Sequence, residues 1–230
     1  TACIGERPAI HPGKTKGVIM NYIIFDMDGT LLDSMSVWEQ VDRNYIEKYG
    51  LDVPPEKLHE MFKVMTLPDS ADYLHKNYQP EIPPEQICRE IEEMGRREYE
   101  YNVPLKDGVR EALEQFHQAG IRMCVASASE RVHVETALRR LGVLDLFAFV
   151  RTCTEAGSGK EQPEIFRQCA RLLGALDCGE VIVFDDASHA LKTAKDAGFR
   201  TAAVYDSAFA QDEKYLRGLC DYYFSSAWEW

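Results

Sequence analysis

Two carboxylates separated by a single residue, Asp26 and Asp28, are the most informative chemical feature of the sequence. They follow a short run of β-forming residues, 22–25, and the segment continues with Gly29 and Thr30. Because side chains alternate along a strand, both carboxylates are expected to project from the same edge where the strand ends. The glycine lets the chain turn sharply, and the threonine hydroxyl can tie that turn. Such a strand end could hold a hard cation and offer a nucleophile beside it.

The composition limits the class of protein. A length of 230 residues suits one large α/β domain, or a core domain of roughly 150 residues with a smaller insert. Hydrophobic residues make up 45% and charged residues 28%, which is enough apolar material for a packed core. The net charge of -12 disfavours a general nucleic-acid binder, because that function needs a basic face. A local lysine and a metal ion could still create one cleft that accepts an anion.

The cysteines and the apolar runs indicate the compartment. The 7 cysteines are scattered without a CxxC pair, a pattern typical of reduced thiols in a cytoplasmic protein. No run approaches the roughly 18 apolar residues of a membrane span, and no secretion signal is visible, so we expect no membrane partner. Residues 1–19 lack periodicity and are interpreted as a frayed extension or a remnant of cloning. We expect a monomer or a weak homodimer.

Strand-like runs recur along the chain, and helical patterns follow them. After the first strand, the predicted strands are 121–126, 147–150, 181–184, 201–204 and a possible edge strand at 222–224. The predicted helices between them are 108–119, 130–141, 163–173 and 188–197. Apolar strands alternating with helices predict a parallel sheet with right-handed crossovers and helices on both faces. Ligands of such sheets bind at the carboxyl ends of the strands.

One stretch breaks this alternation and contains only helical patterns. The predicted helices here are 35–49, 55–63, 68–78 and 84–100, with prolines between them. We therefore predict a small all-helical cap domain at 35–104, inserted after the first strand. The core domain would consist of 20–34 and 105–230, and the fold class is α/β with a Rossmann-like core.

Four motifs, which occur in order along the chain and each lie at the end of a predicted strand or at the start of a predicted helix, give the chain a clear resemblance to a known family. It resembles the haloacid dehalogenase superfamily of phosphotransferases, in the subclass similar to β-phosphoglucomutase and phosphoglycolate phosphatase that carries a helical cap. The motifs are the 26–30 segment, Ser127, Lys160 and the pair Asp185-Asp186. The resemblance implies that Asp26 attacks phosphorus and becomes a transient aspartyl phosphate. It also implies that Asp28 is the general acid and then the general base for water.

The next two motifs supply groups suited to phosphate. The Ser127 hydroxyl at a strand end, beside the amide of Ala128, can hold a phosphate oxygen. Ser129, the next hydroxyl, is interpreted as a helix cap. Lys160 is a compact positive charge that can bridge the nucleophile and the transferred group. The predicted phosphate-binding residues are Ser127, Ala128, Lys160, Met27 and Thr30.

The fourth motif is a second pair of carboxylates at a strand end, Asp185 and Asp186. Together with Asp26, a backbone carbonyl and waters, these carboxylates could complete a six-oxygen Mg²⁺ shell. Asp186 is the better ligand, and Asp185 helps directly or through water. Asp28 is predicted to meet the metal through its backbone carbonyl only. The predicted metal residues are therefore Asp26, Asp28, Asp185 and Asp186, and the predicted cofactor is Mg²⁺.

Differences between this sequence and other members of the superfamily reduce the number of reactions that the chain could catalyse. Asp28 argues against a dehalogenase and against a phosphonate hydrolase, because both lack an acid at this position. A β-phosphoglucomutase carries a histidine twelve residues after the nucleophile, where this chain has Trp38, a residue that cannot relay protons. The resemblance therefore favours a magnesium-dependent phosphatase of small organic phosphomonoesters. The first alternative is a phosphomutase acting on a sugar phosphate. The second is a non-catalytic phosphate-binding or protein-interaction module on the same fold, which would be expected to lack one of the carboxylates or the lysine, whereas this chain keeps them all.

The substrate should be chosen by residues of the cap. Met35, Trp38, Met65 and Thr66 could line its inner face, although apolar residues at helical spacing can equally form the core of the cap. A sugar phosphate, a nucleoside monophosphate or phosphoglycolate would suit the site, so the expected partner is a small phosphorylated metabolite.

Overall fold

The computed structural model describes residues 21–62, 65 and 67–225. The predicted extension at 1–19 and the cap residue Thr66 lie outside these residues. The described chain divides into two compact units. The core unit contains the described residues up to Asp33 and from Pro104 onwards, and the helical unit spans Ser34–Val103.

The described part of the core unit contains a parallel sheet of 6 strands. The strands are β1 (Tyr22–Phe25), β2 (Arg122–Ser127), β3 (Phe149–Thr152), β4 (Val181–Asp185), β5 (Arg200–Val204) and β6 (Tyr222–Phe224). Their order is β3-β2-β1-β4-β5-β6, and each neighbouring pair is parallel. The predicted parallel α/β sheet is confirmed, and β1 lies between β2 and β4.

Each connection between consecutive strands contains at least one helix. Those of the core unit are α5 (Val109–Gln118), α6 (Arg131–Arg140), α7 (Cys153–Ala156), α8 (Glu164–Leu173), α9 (Ser188–Asp196) and α10 (Glu213–Leu219). Those of the helical unit are α1 (Val37–Tyr49), α2 (Pro55–Phe62), α3 (Leu67–Asn77) and α4 (Pro84–Tyr101). The predicted helices are all present within a few residues, whereas α7 and α10 were not predicted. No helix of the described residues is both long and apolar enough to span a membrane.

The sheet is buried on both faces because alternate side chains of its strands enter different cores. Ile24 of β1 packs in a cluster with residues of α8 and α9. Phe25, the next residue, faces the other way, and its ring lies 6.3 Å from that of Phe116 on α5 and 4.9 Å from that of Phe184 on β4. Burial on both faces fixes the register of the strands, and so fixes which residues emerge at their carboxyl ends.

The two segments that join the core unit to the helical unit are hydrogen-bonded to each other. The Asp33 amide donates to the carbonyl of Pro104 at 3.1 Å, and the Lys106 amide donates to the carbonyl of Leu31 at 2.9 Å. The side chain of Lys106 also donates to the carboxylate of Asp206 at 2.7 Å. The chain therefore leaves and re-enters the core unit side by side.

Within the helical unit, a glycine accommodates a tryptophan ring. Gly95 lies in the middle of α4, and a methyl group built on it would meet the Trp38 ring of α1 at 3.1 Å. Trp38 nevertheless remains 45% exposed. The ring therefore packs one side against the backbone of α4 and leaves much of its surface to solvent.

Candidate active site

The carboxyl ends of three neighbouring strands carry the predicted chemical groups. Asp26 follows β1, Ser127 is the last residue of β2, and Asp185 is the last residue of β4. The Asp26 amide donates to the carbonyl of Phe184 at 2.9 Å, which extends the pairing of β1 and β4 as far as the first carboxylate. The sheet ladder thus sets the separation between these residues.

Three buried carboxylates converge at this edge. Asp26, Asp185 and Asp186 each offer an oxygen, and these oxygens all lie within 4.8 Å of one another. This is the spacing expected when several oxygens share one cation, since each oxygen of a hard divalent ion lies about 2–2.6 Å from the metal. Asp26 and Asp186, which come from different strands, are therefore close enough to bind the same ion.

Lys160 is the positive group in this cluster. Its ammonium donates to Asp26, and it donates to Oδ2 of Asp185 at 2.8 Å. The side chain is 8% exposed, so these bonds replace most of its contact with water. The other oxygen of Asp185 accepts a hydrogen bond from the amide of Ala187 at 3.0 Å, which holds that carboxylate in place.

Asp186 has one oxygen satisfied and one oxygen without a partner. Its Oδ1 accepts a hydrogen bond from the hydroxyl of Thr30 at 3.1 Å. Its Oδ2 is buried and has no hydrogen-bond partner among the described residues. A buried carboxylate oxygen without a partner is costly, and a cation would compensate that cost. The donor set, all of it oxygen, matches the preference of Mg²⁺.

The charges of the cluster do not balance within the protein. When all three carboxylates are ionised they face one ammonium, which leaves two negative charges, so a divalent cation would make the group neutral. Burial raises the pKa of Asp26 to about 7, against the opposing charge of Lys160 and with the support of the Asp185 charge. Burial and the charge of Asp26 also raise the pKa of Asp186. Burial alone would lower the pKa of Lys160, but the charges of Asp185 and Asp26 raise it well above the ordinary value, so it stays protonated near neutrality.

Asp28 is held apart from the three clustered carboxylates. It is not in the group of three, and its Oδ2 accepts a hydrogen bond from the hydroxyl of Ser129 at 2.7 Å. The amide of Ser129 in turn donates to the hydroxyl of Ser127 at 3.0 Å. The interpretation of Ser129 as a helix cap was wrong: Glu130 occupies the cap position of α6, and no side chain caps that helix.

The remaining predicted phosphate ligands differ in what they can offer. Ala128 is exposed at the end of β2, where its amide could reach a phosphate. Met27 and Thr30 are fully buried. The hydroxyl of Thr30, which the sequence suggested as a tie for its own turn, donates a hydrogen bond to Asp186. Met27 could contribute to phosphate binding through its main chain only.

The predicted cap residues lie in the helical unit. Trp38 is exposed on α1, and Met35 and Met65 are half-buried. An open pocket of about 380 Å³ lies elsewhere, beside the linker segments and the ends of β5 and β6. Its lining includes Lys106, Tyr205 and Asp206 but none of the three clustered carboxylates. The acidic cluster, not this pocket, carries the groups suited to catalysis.

The chain that forms this parallel sheet and acidic cluster is similar to known proteins in sequence and in fold. Residues 23–204 match the haloacid dehalogenase-like hydrolase family, and the chain belongs to that family. It is therefore an enzyme of a hydrolase family, as the resemblance implied.

Similar proteins agree with this assignment. The chain is 28% identical to the phosphorylated carbohydrates phosphatase of Thermotoga maritima over 78% of this chain and 82% of that protein. It is 26% identical to hexitol phosphatase B of Escherichia coli K12 over 90% of this chain and 92% of that protein. Among solved structures, a Thermotoga maritima protein assigned as a β-phosphoglucomutase superposes with a TM-score of 0.80 at 24% identity, covering 90% of this chain and 95% of that one. That last similarity concerns the fold alone.

Proposed function

We propose that the protein is a magnesium-dependent phosphatase that hydrolyses a small organic phosphomonoester through an aspartyl phosphate on Asp26. The observation that carries the proposal is the convergence of three buried carboxylates and Lys160 at the carboxyl edge of the sheet. Asp26, Asp185 and Asp186 would hold the metal. When bound, Mg²⁺ would neutralise charge on the phosphoryl oxygens and help to orient them for in-line attack.

Each protein group then has a role in two displacement steps. Asp26 attacks phosphorus, the bond from phosphorus to the leaving oxygen breaks, and Asp28 gives that oxygen a proton. Asp28 next takes a proton from water, which attacks phosphorus, releases inorganic phosphate and regenerates Asp26. Lys160 remains charged and compensates the negative charge that accumulates between Asp26 and the phosphoryl group. Ser127 and the amide of Ala128 would hold a phosphoryl oxygen.

The substrate class follows from two relatives and is part of the proposal. The Thermotoga maritima and Escherichia coli relatives are named for phosphorylated carbohydrates and for hexitol phosphates. We therefore propose sugar and polyol phosphates as the preferred substrates. A panel that also includes nucleoside monophosphates and phosphoglycolate would test this preference by comparing kcat/KM values.

The nucleophile is tested by Asp26→Asn. We expect wild-type protein in Mg²⁺ to hydrolyse p-nitrophenyl phosphate, and Asp26→Asn to lose turnover by at least about 10³-fold, because an amide cannot form the covalent intermediate. Asp33→Asn, the same change at an exposed site of the same segment, serves as the control and should retain activity. Turnover by Asp26→Asn at the wild-type rate would refute the nucleophile.

A product assay separates hydrolysis from mutase chemistry. A phosphatase given a hexose 1-phosphate releases inorganic phosphate, whereas a mutase gives a hexose 6-phosphate. We expect free phosphate and no hexose 6-phosphate. Accumulation of the 6-phosphate would replace the proposed reaction by phosphoryl transfer.

A further inference from the structure

We propose that Ser129 is a positioning residue that orients the Asp28 carboxyl toward the leaving-group oxygen of the substrate. The inference rests on the proposed function, because it assumes that Asp28 acts as the general acid. The observation behind it is the 2.7 Å hydrogen bond from the Ser129 hydroxyl to Oδ2 of Asp28, two residues 101 positions apart in sequence.

The hydroxyl of Ser129 has no role in ending or starting a helix. The helix that follows, α6, is capped at Glu130 and receives no side-chain hydrogen bond there. A serine just before a helix normally caps it, so its hydroxyl would be expected to bond to a backbone amide two or three residues later. Here the hydroxyl instead reaches across to the segment that follows β1.

The local backbone directs Ser129 toward Asp28. The amide of Ser129 donates to the hydroxyl of the fully buried Ser127 at 3.0 Å, which closes a tight turn at the end of β2. Since β2 pairs directly with β1, this turn lies beside the segment that carries Asp28. The short bond thus depends on rigid elements and not on a long, flexible side chain.

The contact separates two carboxylates that are nearly adjacent in sequence. Asp26 belongs to the group that can share a cation, whereas Asp28 is outside it. A carboxyl bound to the metal would be a poor proton donor, so the acid must be kept away from the ion. A hydroxyl suits this task because it can donate to a carboxylate and accept from a carboxylic acid, and so can hold Asp28 in either protonation state.

The test compares leaving groups in Ser129→Ala. A p-nitrophenolate leaves readily without a proton, whereas the alkoxide of glycerol phosphate needs one. We expect Ser129→Ala to lower kcat/KM about 10²-fold on glycerol phosphate and less than about 10-fold on p-nitrophenyl phosphate. The ratio kcat/KM is compared because it reports the steps up to formation of the aspartyl phosphate, whereas the later hydrolysis of that intermediate is the same for both substrates. Ser129→Thr, which keeps the hydroxyl, should restore most of the loss.

Two further variants sharpen the test. Ser188→Ala removes a bond of the same type, from the Ser188 hydroxyl to Asp212 at 2.6 Å, and should change neither substrate's kcat/KM. In an Asp28→Asn background, Ser129→Ala should cause little additional loss, because the two residues act as one unit. A Mg²⁺-dependent rise in melting temperature equal to that of wild type would show that Ser129→Ala is folded and that its metal site is intact.

The outcomes distinguish this proposal from the proposed function. An equal loss of kcat/KM on both substrates, or no loss on either, would refute the role of Ser129 while leaving the phosphatase in place. An equal loss that lies in KM alone would indicate a direct phosphate contact instead. Absence of phosphomonoester turnover by the wild-type protein would refute both proposals.

Discussion

Gly29 determines whether the Asp186 carboxylate can lie where it does. The glycine has a φ of 76°, and a methyl group built on it would lie 2.7 Å from Cγ of Asp186 and closer still to its unpartnered Oδ2. Both the backbone conformation and the space therefore exclude a side chain. The glycine that the sequence suggested for a sharp turn also makes room for a predicted metal ligand.

Replacing Gly29 should therefore affect metal binding and not stability alone. We expect Gly29→Ala to abolish most of the Mg²⁺-dependent rise in melting temperature, because Asp186 must move to admit the methyl group. Gly142→Ala is the matched control, since Gly142 has a similar φ of 67° and nothing within 4 Å of the added methyl. The Gly142→Ala substitution should lower the free energy of unfolding by about 1–2 kcal/mol and leave the Mg²⁺-dependent rise in melting temperature unchanged. A normal Mg²⁺ response in Gly29→Ala would contradict this account.

The sequence contained most of the residues of the site but not all of their contacts. Asp26, Lys160 and Asp186 could be predicted because each stands in a motif at the end of a strand or before a helix. The bonds from Thr30 to Asp186 and from Ser129 to Asp28 could not, since they join segments 156 and 101 residues apart. Side-chain contacts of this kind depend on which segments lie side by side in the fold, and the periodicity within one segment does not determine that.

At the scale of elements, long periodic segments were predictable and short ones were not. The four helices of the helical unit and those following β2 and β4 have apolar residues at helical spacing over several turns. By contrast, α7 has 4 residues and α10 has 7, too few for a periodic pattern to be distinguished from a loop. The short helix α7 is stabilised by a capping box, in which Thr152 and Glu155 bond to each other's backbone amides.

The packing of α1 against α4 yields a prediction about Gly95. Alanine normally stabilises the interior of a helix by about 1 kcal/mol relative to glycine. Gly95→Ala should give no such gain, because its methyl group would press against Trp38 at 3.1 Å. In a Trp38→Ala background the same substitution should become stabilising by about 0.5–1 kcal/mol. Denaturant unfolding followed by far-UV circular dichroism measures both effects.

A second helical glycine provides the control for this prediction. Gly218 in α10 has nothing within 4 Å of an added methyl group, so Gly218→Ala should be stabilising by about 0.5 kcal/mol in the wild-type protein. Equal gains at Gly95 and Gly218 would show that the indole ring does not restrict α4.

For the whole molecule, the acidic cluster should make stability depend on pH and on Mg²⁺ together. Burial raises the pKa of Asp26 from 3.8 to about 7, so the folded protein binds more protons than the unfolded chain between these values. The contribution of Asp26 to the free energy of unfolding is therefore present below pH 3.8 and is lost as the pH rises toward about 7. A metal ion removes this loss, since it replaces the proton as the counter-charge.

The measurement is the unfolding free energy of EDTA-treated protein as a function of pH. We expect wild type to lose stability relative to Asp26→Asn as the pH rises from about 4 to about 7, and stabilisation by Mg²⁺ to be larger at the upper end of this range. Comparison with Asp26→Asn cancels the titration of groups outside the acidic cluster. If wild type instead gained stability relative to Asp26→Asn over this pH interval, the pKa of Asp26 would not be raised in the folded protein, contrary to what its burial predicts.

The hydrogen bond between Asp33 and Pro104 brings both ends of the helical unit to one point on the core unit. An insertion whose ends meet can be lengthened, shortened or replaced without cutting a strand. Gene recombination at this point would leave the reaction centre untouched. Proteins descended from one ancestor could thus have acquired different substrates by exchanging this segment while they kept the same catalytic chemistry.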